Sequence, residues 1–331
     1  MEQVKGVNLG GWLVLERWIS PSVFSGTKAR DEYSLCSELG AKAAGRLKIH
    51  RDNFITEDHI KELSRQGLNT LRLPVGYWLF GSESPFVDGA DAYVDRVFSW
   101  VDKYDFKVIL DFHAAPGSQN GNDHSGQAGE INWSEPDNVL KSLEFIDKLT
   151  RRYGKEEGLV GVEVLNEPDW GIGLPTLIDY YAKADEIVKS NCHPGVSTIV
   201  HDAFRPKEMA LALDAAGLDV VLDVHLYQLF TPEDRTLNLK GHIRKTKRDW
   251  KKLLKKLGRS RQLLVGEWSV AMHELYRKID QPDCHYTPGD YRKYFLAQCQ
   301  VFEKTKAGWT YWTARTEDGG IWSYIDQDFE V

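Results

Sequence analysis

Residues 161–170, GVEVLNEPDW, decide the fold. Val162, Val164 and Leu165 form a short apolar run that Asn166-Glu167-Pro168 ends abruptly. Pro168 has no N–H to offer a strand ladder, and it biases Glu167 toward extended backbone. Glu167 is therefore expected at the C-terminal tip of a buried strand, the end at which α/β barrels carry their chemistry. LLVGEWSV, residues 263–270, has the same form with Glu267 as its single charge. A carboxylate inside an apolar strand is costly to bury without a partner or a task. Glu163 lies four residues before Glu167, on the same strand face, and is expected deeper in the barrel in a structural part.

Six further runs resemble strands: VKGVNLGGW (4–12), TLRLPV (70–75), KVILDFH (107–113), STIVHD (197–202), VVLDVHLY (220–227) and AGWTYWTA (307–314). With residues 160–168 and 263–270 they make eight. Helices are expected to open at Thr56, to span 91–105, 137–153, 175–191, 206–216 and 242–262, and to begin near Pro288. Eight strands alternating with helices predict an α/β protein, a single (β/α)8 TIM barrel forming one domain over residues 1–331. The stretch between the first strand and Thr56 is expected to be irregular, with Trp18, Phe24 and Tyr33 available to line a cleft. Residues 114–133 form a long loop rich in Gly, Asn and Ser, of the kind that carries function. Only 17 residues follow Ala314, so the last helix must be short.

Composition narrows the partners. A net charge of −7 disfavours nucleic acid and suits a neutral small substrate. The 11 Trp, 14 Tyr and 13 Phe are the informative count: aromatics serve cores, and their faces also stack on sugar rings. Residues 242–262 carry ten Lys/Arg against one Asp, with Ile243, Trp250, Leu253, Leu254 and Leu257 on one helical face; this is a solvated barrel helix, or a contact for an anionic surface. Cys36, Cys192, Cys284 and Cys299 have neither metal-site spacing nor a disulfide framework. No run is long enough to span a membrane, and no signal segment is visible. A cytoplasmic monomer is expected, or a secreted protein whose signal has been removed.

Nearly every strand end carries a polar or aromatic group: Asn8, Arg72, His113, Asn166 with Glu167, His201 with Asp202, His225 with Tyr227, Glu267, and Trp312. A single buried histidine is more often a satisfied core residue than a catalyst. So many polar groups on one rim need partners that packing alone does not supply. Two carboxylates held in different environments suit glycoside hydrolysis, which needs one to attack and one to protonate the leaving oxygen.

GVNLGGWLVLE, LRLPVGYW, DFHAAPGSQNG, the NEP strand end, DVHLYQLF, the GEW strand end and GWTYWT together resemble glycoside hydrolase family 5, and within it the fungal-type exo-β-1,3-glucanases. The resemblance runs from Val4 to Tyr324. It implies that Glu167 is the acid/base and Glu267 the nucleophile of a retaining, exo-acting β-glycosidase. It further implies that Asn166 holds the sugar 2-OH, Arg72 orients Glu267 and His225 sits beside Glu167. His113 and Glu16 would bind terminal-sugar hydroxyls, Tyr227 would touch the nucleophile, Trp312 would be a stacking floor and Phe230 half of an aromatic clamp. Asn122 stands where those relatives tend to have the other clamp aromatic, and Ala314 where they usually have a second Trp. On this view Arg72 favours an ionised Glu267, while a less solvated Glu167 keeps its proton. The substrate would be a β-glucan oligosaccharide or β-glucoside, with no cofactor or metal.

Three readings compete: a β-glucosidase acting on non-sugar aglycones, a non-catalytic carbohydrate-binding barrel, and a phosphate-handling barrel. The second would have lost a glutamate. The third needs a Gly-rich loop after strand seven or eight; Trp268-Ser269-Val270 has no Gly, and Gly319-Gly320 is the weaker candidate.

Overall fold

The computed structural model describes residues 3–81, 83–272, 286–327 and 329; Cys284 lies outside them. Eight parallel strands close on themselves in sequence order: β1 Val4–Asn8, β2 Thr70–Gly76, β3 Lys107–Ala114, β4 Leu159–Glu163, β5 Ser197–His201, β6 Val221–His225, β7 Leu263–Glu267 and β8 Gly308–Tyr311. β8 pairs with β1 through Val4↔Gly308 to Val7↔Tyr311, which closes the (β/α)8 barrel.

Strand period explains the layering. Alternate residues point to opposite faces, so Val108, Leu110 and Phe112 join the large core beneath the helices while Ile109 joins the small cluster within the barrel. That inner floor is completed by Val4, Ile199, Val221 and Leu264. Two residues further along the strands the inward side turns polar, at Asp111, His201 and Asp223, all fully buried. The next pair of positions brings His113 and His225 to the mouth.

Three local expectations need correction. β4 ends at Glu163 rather than 168. Its backbone continues alongside the sheet through Val164 N–H to Ile199 O and Asn166 N–H to Phe112 O, and then Glu167 turns at φ 41. Glu167 is therefore left-handed, not extended, a conformation held because Asn120 Nδ2 donates to its carbonyl at 3.0 Å. Secondly, the stretch before Thr56 contains helices at Glu32–Leu39 and Ala43–Asn53. They lack a strong apolar stripe; an Asp31/Ser34 capping box starts the first. Leu35, Cys36 and Leu47 pack on Leu15, Val23 and Phe24, which places Phe24 in that satellite core instead of a cleft. Tyr33 likewise packs edge-on against Phe86. Thirdly, the basic helix is three pieces, Leu239–Lys245, a π turn at Thr246–Trp250, and Lys251–Leu257. Its buried residues His242, Thr246, Trp250 and Leu254 recur every fourth position. That spacing exceeds the ~3.6 residues of an α-helical turn, and the wider π turn absorbs the difference. After β8 only a 3-10 turn at Tyr324–Asp326 follows among the described residues.

Gly266 shows how tightly the polar layer is built. Its N–H donates to Asp223 Oδ1 at 2.6 Å, and a Cβ there would lie 1.9 Å from Asp223 Oδ2. Gly266→Ala is expected to cost about 1–3 kcal/mol by overpacking, read as a lower denaturation midpoint. An unchanged midpoint would mean that β6 and β7 can move apart.

Candidate active site

A cleft of about 630 Å³ opens at the C-terminal ends of the strands. Of the residues singled out in the sequence, Glu16, Trp18, His113, Asn122, Glu167, Tyr227, Phe230, Glu267 and Trp312 line it. Arg72 lies directly beneath, and its guanidinium joins five elements. Nε and Nη2 reach Glu163 Oε2 at 2.8 Å, and Nη2 donates to Asn166 Oδ1 at 2.9 Å. Nη1 meets Asn8 Oδ1 at 2.8 Å, Asp111 Oδ2 at 3.1 Å and Glu267 Oε1 at 3.1 Å. Glu163 thus has the structural part expected of it. Burial raises its pKa well above the ordinary carboxylate range, against the pull of the Arg72 charge.

Glu267 is fixed at both oxygens, Oε1 by Arg72 and Oε2 by the Tyr227 hydroxyl at 3.0 Å. His225 joins the two glutamates: Nδ1 is 2.5 Å from Glu167 Oε1 and 3.4 Å from Glu267 Oε2. Laid end to end those distances keep the two oxygens under about 6 Å apart, which suits the ~5–5.5 Å of a retaining pair and falls short of the ~6.5–9.5 Å of an inverting one.

The protonation pattern of the empty cleft differs from the expectation. Glu167 is the more solvated carboxylate, its side chain 13% exposed against 6% for Glu267. Burial opposes its ionisation, yet the His225 charge and hydrogen bond outweigh burial and hold it below the ordinary range. Burial raises Glu267, with the neighbouring Glu167 charge adding to it against His225 and Arg72. Burial also opposes the His225 imidazolium, but Glu267, Asp223 and Glu167 prevail and raise it well above the usual histidine value. Of the His225 and Glu167 pair, the histidine is shifted toward its protonated form and Glu167 toward its ionised form.

The remaining groups present unused polar atoms to the cleft region. Asn166 gives its oxygen to Arg72, and its Nδ2 is buried without a partner. His113 Nδ1 lies 2.6 Å from Asp111 Oδ2, and its Nε2 is buried without a partner. Trp312 lies parallel to the His113 ring, centroids 5.4 Å apart. Glu16 is buried and accepts from Trp18 Nε1 at 2.9 Å, while Arg17 turns away to Ala29 O. Burial, with Asp123 adding, raises Glu16 well above its ordinary pKa. Phe230 is exposed at the rim against Tyr227.

Sequence reasoning missed several members. Asp111 and Asp223 each stand two residues before a functional histidine, and the repeated D-x-H in strands β3 and β6 was the available signal. Asp123 and His124 were hidden in the long loop, and Phe204 and Trp322 in the segments after β5 and β8. Ala203 and Phe204 have φ 49 and 56, a turn fixed by Asp202 Oδ1 accepting the Phe204 N–H at 2.7 Å. The turn leaves Phe204 exposed at the cleft edge. His201 packs edge-on beneath His225, centroids 4.4 Å apart. Glu167, His201 and His225 bring ligand-type atoms together, as do Glu163, Asp223 and His225. The first trio is a poor cation site because His201 Nδ1 accepts from Ala203 N–H, which leaves the proton on Nε2. In the second, Glu163 is committed to Arg72.

Burial raises Asp202 to about 7 against the Phe204 hydrogen bond. Its folded pKa exceeds the unfolded value of about 3.9, so its contribution to stability is complete below that value and is lost as pH rises to about 7. Asp202→Asn keeps an acceptor for the turn but cannot ionise. Its Tm relative to the unmutated protein is expected to be higher at pH 8 than at pH 4.5 by at least about 2 °C. A pH-independent difference would show that Asp202 does not titrate in this interval.

The glycosyl hydrolase family 5 family, described as Cellulase, matches residues 38–318. A probable glucan 1,3-beta-glucosidase A of Aspergillus fumigatus is 35% identical, covering 98% of this chain and 85% of its own length. Glucan 1,3-beta-glucosidase 1 of Schizosaccharomyces pombe is 32% identical, covering 95% of this chain and 83% of its own. Among solved structures, the rutinosidase from Aspergillus niger shares the fold with a TM-score of 0.81 at 22% identity, over 100% of this chain and 98% of that one. With the family match spanning most of the barrel and relatives of this similarity along almost its whole length, the chain belongs to glycosyl hydrolase family 5 and is a glycoside hydrolase.

Proposed function

We propose that this enzyme releases glucose from the non-reducing end of β-1,3-glucan or related β-glucosides by a retaining double displacement. The observation that carries the reading is the histidine bridge, which holds Glu167 and Glu267 under about 6 Å apart, the separation a covalent intermediate requires. Glu267, oriented through both oxygens, attacks the anomeric carbon. Glu167 Oε2, the oxygen His225 leaves free, donates a proton to the departing oxygen and later takes one from the attacking water. Burial is the largest influence opposing charge on Glu167, and a sugar that expels the remaining water strengthens it, so substrate itself favours the acid form. Asn166 Nδ2 and His113 Nε2 await hydroxyls, and Glu16 closes the pocket behind the terminal sugar. The names of the Aspergillus and Schizosaccharomyces relatives support a β-1,3-glucan as substrate.

A β-glucosidase acting on a flat non-sugar aglycone is the second reading. The exposed rings of Trp18, Phe204 and Phe230 around the mouth favour it. Laminarin and a panel of aryl glucosides assayed together separate the two.

Glu267→Gln, which keeps the side-chain shape and an oxygen for Arg72, is expected to lower kcat/KM by on the order of 10⁴ or more while the barrel stays folded and still binds sugar. Normal turnover by the purified variant would exclude Glu267 as nucleophile. NMR of the first-formed glucose should show the β-anomer, and α-glucose would exclude retention. Glu16→Ala removes a buried hydrogen-bond partner, a loss of about 1–3 kcal/mol that corresponds to a fall in kcat/KM of about fivefold to over a hundredfold. Unchanged kinetics, or oligosaccharides as the first products from laminarin, would mean a cleft open at both ends.

A further inference from the structure

Glu167 is approached by two imidazoles, one at each carboxylate oxygen. His225 Nδ1 takes Oε1 at 2.5 Å, and His124 Nε2 stands 3.5 Å from Oε2. The His124 ring is largely enclosed, 16% exposed, and its Nδ1 is buried without a protein partner.

The loop carrying His124 is fastened to the residue it addresses. Asn120 Nδ2 donates to the Glu167 carbonyl, so one segment fixes both the backbone of Glu167 and the imidazole beside its side chain. A 3-10 turn at Asp123–Ser125 presents the histidine. Ser125 is bonded to Ser118 Oγ at 2.6 Å, and the Tyr33 N–H reaches across to Gly126 O. This is an anchored approach, and a distance of 3.5 Å is within the range at which catalytic contacts stand in an empty site before they tighten on substrate.

Resting on the assignment of Glu167 as acid/base, we propose that His124 is a positioning residue for proton transfer, holding Oε2 and its proton in line with the departing oxygen. In the first step the Oε2–H bond breaks and the proton passes to the leaving oxygen as the anomeric C–O bond breaks and the bond to Glu267 forms. In the second, water gives its proton back to Oε2 as its oxygen displaces Glu267. His124 ends each cycle with the protons it began with; its part is to fix which way Oε2 faces. The groups that bear on it are Glu167 in front, Asp123 beside it through the His124 N–H to Oδ1 contact, His113 with ring centroids 5.3 Å apart, Glu16 in the same pocket lining, and His225 with Glu267 beyond Glu167.

A role at Oε2 differs from a role in pocket shape in its dependence on the leaving group. Dinitrophenyl β-glucoside departs without protonation, whereas laminaribiose needs the acid. His124→Phe keeps the ring and removes the nitrogens. Its kcat/KM on laminaribiose is expected to fall at least about tenfold more than on the dinitrophenyl glucoside, with the basic limb of the laminaribiose pH profile displaced. His124→Gln, which restores a donor, should recover part of that difference. Equal losses on both substrates with the limb unmoved, or no loss on either, would overturn the proposal. Glu167→Gln measured alongside identifies where a failure lies. If it shows the leaving-group dependence and His124→Phe does not, only the role of His124 falls. If Glu167→Gln lacks it, the assignment of Glu167 falls and takes His124 with it.

Discussion

One buried cation organises the interior of this barrel. Arg72 is fully enclosed and touches Asn8, Asp111, Glu163, Asn166 and Glu267, so a single guanidinium ties β1, β2, β3, β4 and β7 at one level. Placing charges inside a protein is costly, and removing one member of such a cluster leaves others uncompensated, typically at 3–5 kcal/mol. Arginine suits the position because its planar fork donates in several directions and stays charged. The apolar floor of Val4, Ile109, Ile199, Val221 and Leu264 lies beneath this layer, on the side away from the cleft. It leaves the polar layer to be satisfied by protein groups, which makes its geometry rigid.

That rigidity is passed upward by strand period. Asp111 and His113, and Asp223 and His225, are successive inward residues on β3 and β6, so each histidine arrives above an aspartate. His113 is held to Asp111 at 2.6 Å, which fixes its tautomer; His225 stands 3.4 Å from Asp223 and leans instead toward the two glutamates. The same two-residue step leaves one histidine with an unpartnered nitrogen and sets the other between two acids that favour its charged form. The number of carboxylates within reach, rather than exposure alone, sets which group carries the proton. This is why an expectation based on solvation misjudged Glu167.

The strands were legible because each is a short, apolar, β-branched run ended by Gly, Pro or a polar group, and their observed limits differ from the expected ones mainly at the C-terminal ends. Glu163 could be read as structural from its depth in the run, whereas the positions of Arg72, His225 and Tyr227 beside the two glutamates came from the family resemblance and not from the strand pattern. The turn at Glu167 was not legible: its left-handed backbone depends on Asn120, 47 positions away in the chain. Phe204 escaped for a local reason: its exposure follows from a side-chain turn made by Asp202, two residues before it. The helices before Thr56 depend on a cap and a satellite core rather than on periodicity. Composition could show that the loop at 114–133 mattered but not which of its residues faced the acid. Pattern finds what the strands impose; contacts between loops lie beyond it.

The pocket's charges bear on what it can hold. Glu16, Asp123, Glu167 and Glu267 line it with His113 and His124, above an Arg72 already surrounded by acids. An acidic sugar would enter a region where Glu16 already resists ionisation through burial and the Asp123 charge. A neutral sugar adds no such repulsion. As its anomeric bond breaks, the ring gains positive charge, and the carboxylates that burdened one another in the empty cleft become attractive partners. Fixed charges aimed at a charge that exists only in the transition state need no reorganisation when it forms. The unfavourable electrostatics of the empty pocket and the stabilisation of the developing cation therefore have the same source, the crowding of acids that Arg72 and His225 hold in place.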